Sequence, residues 1–461
     1  MKTILLCGNS GTRLWPLSND VRSEQYVPLL KGEDGKAESF IQRVWRQLQQ
    51  SQLAAHTLIT TNAAQVDLIE RQLIGISRIL LEPDSRDTFP AIALSITYLL
   101  SRGEVLEDDV VFILPTDTFT GVGFYETAKK LAETVKASSA DMGLIGIKPY
   151  EAKSEYGYIL PSEQGIENEL VSVEKFIEKP NKALAEQLII EGALWNSGAV
   201  VVKVKFILNA LIERGLPSTY EHLFNNYAQL TKISFEYAIV QSCENIVATA
   251  YEGEWDDLGN WKAMLPNIFY KQNPLDVIKN SPNSYIVNEL HYPIALIDVP
   301  NCIVVASPDG LLITDPSSTE TLETYGQQQF RRPMYEERRW GTCRVLERAT
   351  VSNNQEVLVK RLVIDEGKNI SYQKHQYRNE VWTILEGEGK LAHNNQITFV
   401  QKGDVIQFQA GEYHAILAIK KLEIVEVQYG SKLTEEDIEC IYQKWSDIEF
   451  VLNEGEVISI R

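Results

Sequence analysis

The strongest constraint on the fold is a change of rhythm near residue 265. Before it, short apolar runs alternate with longer amphipathic ones. Strand candidates are Thr3 to Cys7, Thr57 to Thr60, Arg78 to Leu81, Val110 to Leu114, Met142 to Ile147 and Ala199 to Val202. Between them, Ser39 to Gln50, Ala63 to Leu73, Pro90 to Ser101 and Gly123 to Ser138 carry helical patterns. Such alternation implies βαβ units and an α/β domain with a mostly parallel sheet. Ligands of these sheets sit beyond the carboxyl ends of the strands. From Asn273 the chain becomes Asn/Pro/Asp/Ser turns between short β-rich pieces: Ser284 to Val287, Ile294 to Asp298, Cys302 to Ala306 and Gly310 to Ile313. A small β connector is expected there, then a polar linker helix from Thr319 to Arg332. From about Val345 strands recur with glycines between them, which predicts a β-sandwich or barrel. Thr434 followed by Glu435, Glu436 and Asp437 predicts an N-capped helix running to Lys444. The expected division is therefore 1–265, 266–330 and 331–461.

With 461 residues the chain has room for two or three domains. Lys plus Arg number 44 against 63 Asp plus Glu, a formal charge of −19. That balance argues against nucleic acid and anionic membranes as partners, while leaving a small anionic ligand open to a local basic pocket. The five cysteines are scattered and form no Cys-x-x-Cys, so free thiols in a reducing cytoplasm are expected. The start, Met1 to Gly8, has an apolar core far shorter than the ~7–15 residues of a secretory one and reads as a first buried strand.

Gly8-Asn9-Ser10-Gly11-Thr12-Arg13 follows that strand. Glycines there let backbone N–H groups approach phosphate oxygens, and Arg13 adds a planar fork. The turn continues Leu14-Trp15-Pro16-Leu17-Ser18, and in this form it resembles the signature of sugar-1-phosphate nucleotidylyltransferases, in particular mannose-1-phosphate guanylyltransferases. Further segments follow in the family's order: Leu81-Glu82-Pro83 to Arg86-Asp87-Thr88, Leu114-Pro115-Thr116-Asp117, Tyr156-Gly157-Tyr158-Ile159, Phe176 to Pro180, Trp195-Asn196-Ser197-Gly198, Phe235 to Ala238, and Trp255 to Trp261. The resemblance implies a Rossmann-like nucleotidyltransferase domain. It implies nucleotide contacts from Gly8, Ser10, Gly11, Thr12, Arg13, Glu82, Arg86 and Pro115, and sugar contacts from Tyr156, Gly157, Glu178 and Asn196. Arg13, Asp117, Asp257 and Lys179 would be catalytic, with Asp117 and Asp257 holding Mg²⁺. Read by residue type alone, Asp117 is a helix cap and Asp257 a solvated acid. Trp261 is expected in the core.

One departure bears on mechanism. The family has lysine before glutamine where this chain has Glu24-Gln25. A unit charge ~4 Å from another is worth about 4 kcal/mol at an effective dielectric of ~20, and sign reversal up to about twice that. Another cation (Lys175, Lys179 or Arg22) substitutes, or the metal carries more of the load with Glu24 helping to hold it, or transfer is lost and only binding remains. Asp87 stands where the family has asparagine, and Asn9 where it has glycine.

The C-terminal part carries Gly367 to Glu380, then Gly387, and Gly403 through Gly411 to His414. These fit the two cupin motifs, with Gln373 in place of the first histidine. Gln373 and His375, two apart on a strand, share a face. With Glu380 and His414 they make a candidate site for Zn²⁺ or a similar divalent ion. His56, His222, His291 and His393 have no such company. Gln373-x-His375 with Arg378, Glu380 and Trp382, followed by Ile424 to Gly430, resembles the type II phosphomannose isomerase domain, a cupin β-barrel. The resemblance implies mannose-6-phosphate isomerisation, with Lys360 a candidate for phosphate or proton work. Cys440 stands where the family has arginine, and Arg339 where it has proline.

The leading expectation is an enzyme that joins GTP and mannose 1-phosphate into GDP-mannose and pyrophosphate, for polysaccharide synthesis in the cytoplasm. Isomerisation would be a second activity, and a homodimer is a candidate assembly. The competing readings are an isomerase with a decayed nucleotidyl domain, and a sugar-nucleotide-binding or regulatory paralogue that lost two cations at Glu24 and Cys440.

Overall fold

The computed structural model describes residues 1–454 apart from positions 9, 10, 12, 20, 74, 77, 166–169, 271–272, 291, 322–332, 352–354 and 435–436. The first strand, β1 (Lys2–Leu6), is an apolar run buried on both faces. Its neighbours follow from the alternation: β2 (Leu30–Lys31) and β3 (Ala37–Glu38) form a hairpin, then come α1 (Phe40–Gln50), β4 (Thr57–Thr61), α2 (Val66–Gln72), β5 (Ile79–Leu81), α3 (Thr88–Ser101) and β6 (Val110–Pro115). After a short β7 (Thr118–Thr120) the chain makes α4 (Gly123–Ala137), β8 (Met142–Ile147), β9 (Tyr158–Gly165), β10 (Leu170–Ile177), α5 (Lys182–Ile190) and β11 (Leu194–Lys203). Helices α6 (Val204–Glu213), α7 (Tyr220–Asn225) and α8 (Phe235–Ala238), strands β12 (Ile246–Tyr251) and β13 (Trp255–Asp257), and α9 (Trp261–Met264) complete this part.

Nine of these strands make one sheet in the order β5-β4-β1-β6-β11-β8-β12-β10-β9. It is parallel from β5 to β6 and again between β8 and β12, while β11, β10 and β9 pair antiparallel. Side chains alternate across it. Leu5, Phe112 and Leu114 face the core shared with α1, α2, α4 and α5. Ile4, Val111 and Ile113 face the core shared with α3, α6, α7 and α8. Period 2 in the strands thus feeds two helical layers, the doubly wound arrangement. Helix α1 begins in a capping box of Ser39 and Gln42, which satisfies two end N–H groups at once.

The connector holds β14 (Val277–Lys279), β15 (Tyr285–Asn288), β16 (Ala295–Ile297), β17 (Ile303–Ser307) and β18 (Gly310–Thr314), in a two- and a three-stranded sheet. Val287, Ile303 and Val305 pack with Leu14, Leu17, Leu258 and fully buried Trp261, so the connector braces the loop after the glycine turn. The expected linker helix falls largely on 322–332, outside the described residues; Pro316–Thr321 form a 3₁₀ helix.

The third part contains β19 (Tyr335–Arg338), β20 (Gly341–Thr350), β21 (Glu356–Ile364), β22 (Tyr372–His375), β23 (Arg378–His393), β24 (Gln396–Gln401), β25 (Val405–Phe408), β26 (His414–Gly430) and β27 (Ile438–Tyr442). The 17-residue β26 pairs with β21, β22 and β23, which wraps the strands around an apolar centre including Ile364, Trp382, Ile416 and Ile424. The helix expected from Thr434 to Lys444 is corrected: residues 438–442 are a strand on β22, and the last helix, α10, is Trp445–Glu454. Pairing to the open edge of β22 outweighs local helix propensity. Asp437 serves a turn instead, accepting from the N–H groups of Gln376 and Tyr377 at 3.0 and 3.1 Å.

Polar side chains fasten the parts together. Arg71 of α2 donates to the Arg338 and Gly341 carbonyls and lies 3.4 Å from Asp365. Arg22 is held by Glu289 of the connector and Glu337 of β19, at 3.2 and 3.3 Å. No helix among the described residues is long and apolar enough to cross a membrane.

Candidate active site and candidate metal centre

Asp117 follows β6 at its carboxyl end, and Asp257 closes β13. The ribbon of β7 and β13 brings them together, because Asp257 is paired with Thr118, the neighbour of Asp117. Both line a cavity of about 290 Å³ with Pro115, Tyr156, Glu178 and Asn196. A larger hollow, about 560 Å³, lies at the opposite ends of the strands around Met1, His56 and Lys136. The smaller one is the better candidate, since parallel sheets present ligand sites at strand carboxyl ends and it holds both Asp117 and Asp257.

Burial and the neighbouring Asp117 charge push Asp257 up to about 6. Arg13 moderates that repulsion. Its Nη2 donates to Asp117 Oδ2 at 3.2 Å and to Glu24 Oε1 at 2.7 Å, and its Nε reaches the same Glu24 oxygen at 3.0 Å. Burial works against the Arg13 charge, but Glu24, Asp117 and Asp257 outweigh it and raise its pKa. Two carboxylates set close at a cavity wall, one of them held up in pKa by the other, are a donor set that a hard divalent ion satisfies. Glu24 is 2% exposed. Its 3₁₀ turn is pinned by Gln25 on the Cys7 carbonyl at 3.1 Å and by Tyr26 on Gln65 at 3.1 Å. Burial drives the Glu24 carboxyl up and Arg13 draws it partly back.

Glycines mark the close approaches. A Cβ on Gly8 would stand 2.6 Å from Glu82 Oε1, one on Gly11 2.1 Å from Glu24 Oε2, and one on Gly157 2.6 Å from Glu178 Oε2. Glu82 receives a 2.7 Å hydrogen bond from Tyr227 Oη, and burial pushes it up to about 7. Glu178 is pushed up to about 7 by burial and by Glu236, and its buried Oε2 has no partner among the described residues. The Asn196 N–H donates to the Gly157 carbonyl at 2.8 Å, which ties the two expected sugar segments together.

Of the expected residues, Pro115, Asp117, Tyr156, Gly157, Glu178, Lys179, Asn196 and Asp257 line one cavity. Gly8 and Glu82 form a corner beside it. Arg86 is bound to Asp84 at 2.7 Å. Ser10 and Thr12 lie outside the described residues. Arg22 is not a replacement cation, because it is spent on Glu289 and Glu337. Lys175 is exposed on β10. Lys179, exposed and at φ +47, is the lysine that lines the cavity. Sequence reasoning passed over Glu155 and gave no role to Glu236 and Gly259 within the segments it singled out. The last had a legible signal, a glycine two residues after a candidate metal aspartate.

In the barrel, ligand atoms of His375, Glu380 and His414 lie within 4.8 Å of one another and all three residues are buried. The register sets Gln373 opposite His414. His414 Nδ1 lies 3.2 Å from the Glu412 carbonyl, and its Nε2, 3.4 Å from Glu380 Oε2, makes no hydrogen bond among the described residues. Such an orphaned buried imidazole nitrogen beside a carboxylate fits a divalent metal. Burial would raise Glu380, but His375 and His414 hold it well below the usual carboxylate range. Arg378 touches the same group, with Nε 3.1 Å from Glu380 Oε1 and Nη2 3.4 Å from His375 Nε2, so it competes for the lone pairs a metal would use. The adjoining cavity, about 400 Å³, is lined by Lys360, Gln373, Arg378, Glu426 and Cys440, with Asp67 contributed by α2.

Comparison with known proteins matches residues 2–270 to the nucleotidyl transferase family and residues 326–443 to the mannose-6-phosphate isomerase C-terminal family. The xanthan biosynthesis protein XanB of Xanthomonas campestris is 28% identical, over 94% of this chain and 97% of its own length. A putative mannose-1-phosphate guanylyltransferase of Vibrio cholerae is 26% identical, over 94% and 98%. A solved Thermus thermophilus structure, described as a mannose-1-phosphate geranyltransferase, superposes with a TM-score of 0.59 at 25% identity, covering 71% of this chain and 98% of that one. The first match spans more than half of the molecule and includes the glycine turn, both aspartates and the cavity between them: this chain belongs to the nucleotidyl transferase family.

Proposed function

We propose that the chain makes GDP-mannose from GTP and mannose 1-phosphate, in the cytoplasm, as a step toward polysaccharide. The observation that carries this is the register of β7 on β13, which sets Asp257 beside Asp117 at the carboxyl end of β6. In the reaction a phosphate oxygen of the sugar 1-phosphate attacks the α-phosphorus of GTP. The bond from that phosphorus to the bridging β-oxygen breaks, and pyrophosphate leaves with the electron pair. Asp117 and Asp257 would hold Mg²⁺, which when bound neutralises phosphate charge. Arg13 orients phosphate oxygens from beside Asp117, and Lys179 offers a cation at the cavity wall. Glu178 and Asn196 accept and donate hydrogen bonds to hexose hydroxyls, while Glu82 accepts from the N–H edge of guanine. The names of relatives support the sugar and the nucleotide. The test is pyrophosphate release from GTP and mannose 1-phosphate with Mg²⁺, compared with ATP, CTP and UTP. Release with none of them overturns the proposal.

A second reading concerns the barrel: isomerisation of mannose 6-phosphate and fructose 6-phosphate, with Zn²⁺ or another divalent ion held by Gln373, His375, Glu380 and His414. The orphaned His414 Nε2 favours it. Interconversion of the two 6-phosphates, lost on chelation and restored by metal, is the expected result; no interconversion in metal-loaded protein overturns it.

A further inference from the structure

Glu24 occupies the edge of Arg13 that a phosphate would grip. Nε and Nη2 both donate to Glu24 Oε1, and Nη2 is shared with Asp117. The carboxylate has no room to swing aside, because Gln25 and Tyr26 anchor its turn and its side chain is 3% exposed. Its second oxygen is buried against Gly11 without a partner among the described residues. Arg22 offers no relief, being bound elsewhere. One guanidinium therefore faces three carboxylates, Glu24, Asp117 and Asp257, at the place where a polyanionic nucleotide must dock. A cation whose charge is cancelled inside the protein attracts an outside anion weakly.

We propose that Glu24 is a positioning residue: it fixes the Nε/Nη2 edge of Arg13 and cancels its charge, so that affinity for the nucleotide's phosphates comes from the divalent ion rather than from the protein. This rests on the nucleotidyl-transfer reading. Two consequences separate the roles of charge and placement. Neutralising Glu24 removes one of the three carboxylates that face Arg13 and strengthens metal-free binding of the triphosphate. It also frees the guanidinium to rotate, which slows turnover.

The experiment is calorimetric titration of the full chain with GTP, in EDTA and in Mg²⁺, together with steady-state kinetics. Glu24→Gln is expected to tighten GTP binding in EDTA by about tenfold or more and to lower kcat by about tenfold. Glu24→Asp keeps the charge on a shorter stem, so its EDTA affinity stays weak while kcat falls; it also serves if Glu24→Gln fails to fold. Added to Arg13→Gln, Glu24→Gln is expected to lower kcat no further, because both act through one guanidinium. EDTA affinity within about twofold of the wild type in Glu24→Gln, a margin below the precision of additive bookkeeping, overturns the proposal. So does an additive loss of kcat in the double variant. Absence of binding by GTP, ATP, CTP and UTP to the wild type in Mg²⁺ overturns the nucleotidyl-transfer reading itself.

Discussion

Arg13 lies directly over the α-carbon of Gly259: a Cβ built there would stand 2.3 Å from Arg13 Nη1 and 2.9 Å from Asp257 Oδ1. Glycine at 259 thus leaves room for a side chain that arrives from the loop after the first strand. Gly259→Ala is expected to displace the guanidinium, the more flexible partner, and to lower pyrophosphate release by about tenfold or more. The melting temperature should change little, since Gly259 has no positive φ.

Asp257 pits activity against stability. Burial and Asp117 hold its carboxyl up at about 6, above its unfolded value. A carboxyl raised in the folded state binds more protons folded than unfolded, so its contribution to stability falls as pH rises from about 4 through about 6. Asp257→Asn removes that penalty. Above pH 7 it is expected to melt at a higher temperature than the wild type while losing transfer activity about 100-fold or more. Thermal scans and pyrophosphate assays on the same preparation check both.

Glu82 obeys the same sign with a different pH window. Burial lifts it to about 7. Stability from this group is greatest below about pH 4.5 and is lost as pH climbs through 7. Glu82→Gln, which still accepts from Tyr227, should be more stable than the wild type at pH 8 by about 1–2 kcal/mol and nearly equal to it at pH 4.5. If Glu82 reads the base, the same variant weakens GTP binding at pH 8, where the wild-type carboxylate is charged.

The barrel site predicts a metal inventory. Purified wild type should carry about one divalent ion per chain beyond any bound with nucleotide. His414→Ala and Glu380→Gln should lose it, as read by elemental analysis after gel filtration. Arg378→Ala removes the competing guanidinium and should retain the metal in the same measurement.

Arg71 is the polar joint between α2 and the third part of the chain. Arg71→Ala should cost about 1–3 kcal/mol, because the carbonyls of Arg338 and Gly341 lose a charged donor. Faster amide exchange in β19 and β20, with β1 and β6 unchanged, is the expected signature.

The apolar runs were legible one segment at a time. The runs Thr3 to Cys7 and Val110 to Leu114 bury both faces of a central sheet, and as short unbroken apolar runs between amphipathic stretches they need no knowledge of partners. The ordered motifs that carry Arg13, Asp117, Asp257 and Glu178 were equally visible, as was the spacing of Gln373, His375, Glu380 and His414. The segment from Thr434 to Lys444 misled, because acids after a threonine signal a helix only when no strand edge is waiting.

What the amino-acid order determined by itself was therefore the class of each half, the turn that ends the first strand, and the chemistry of the side chains on offer. What only the tertiary structure decided was how those charges are spent. Glu24 and Arg13 are eleven positions apart and Asp257 more than two hundred further on, yet their meaning lies in their meeting. Electrostatic energy depends on distance through space and on burial, and neither is written in a linear spacing. The same acid would be a harmless solvated group one turn away; pinned under Gly11, it governs the guanidinium.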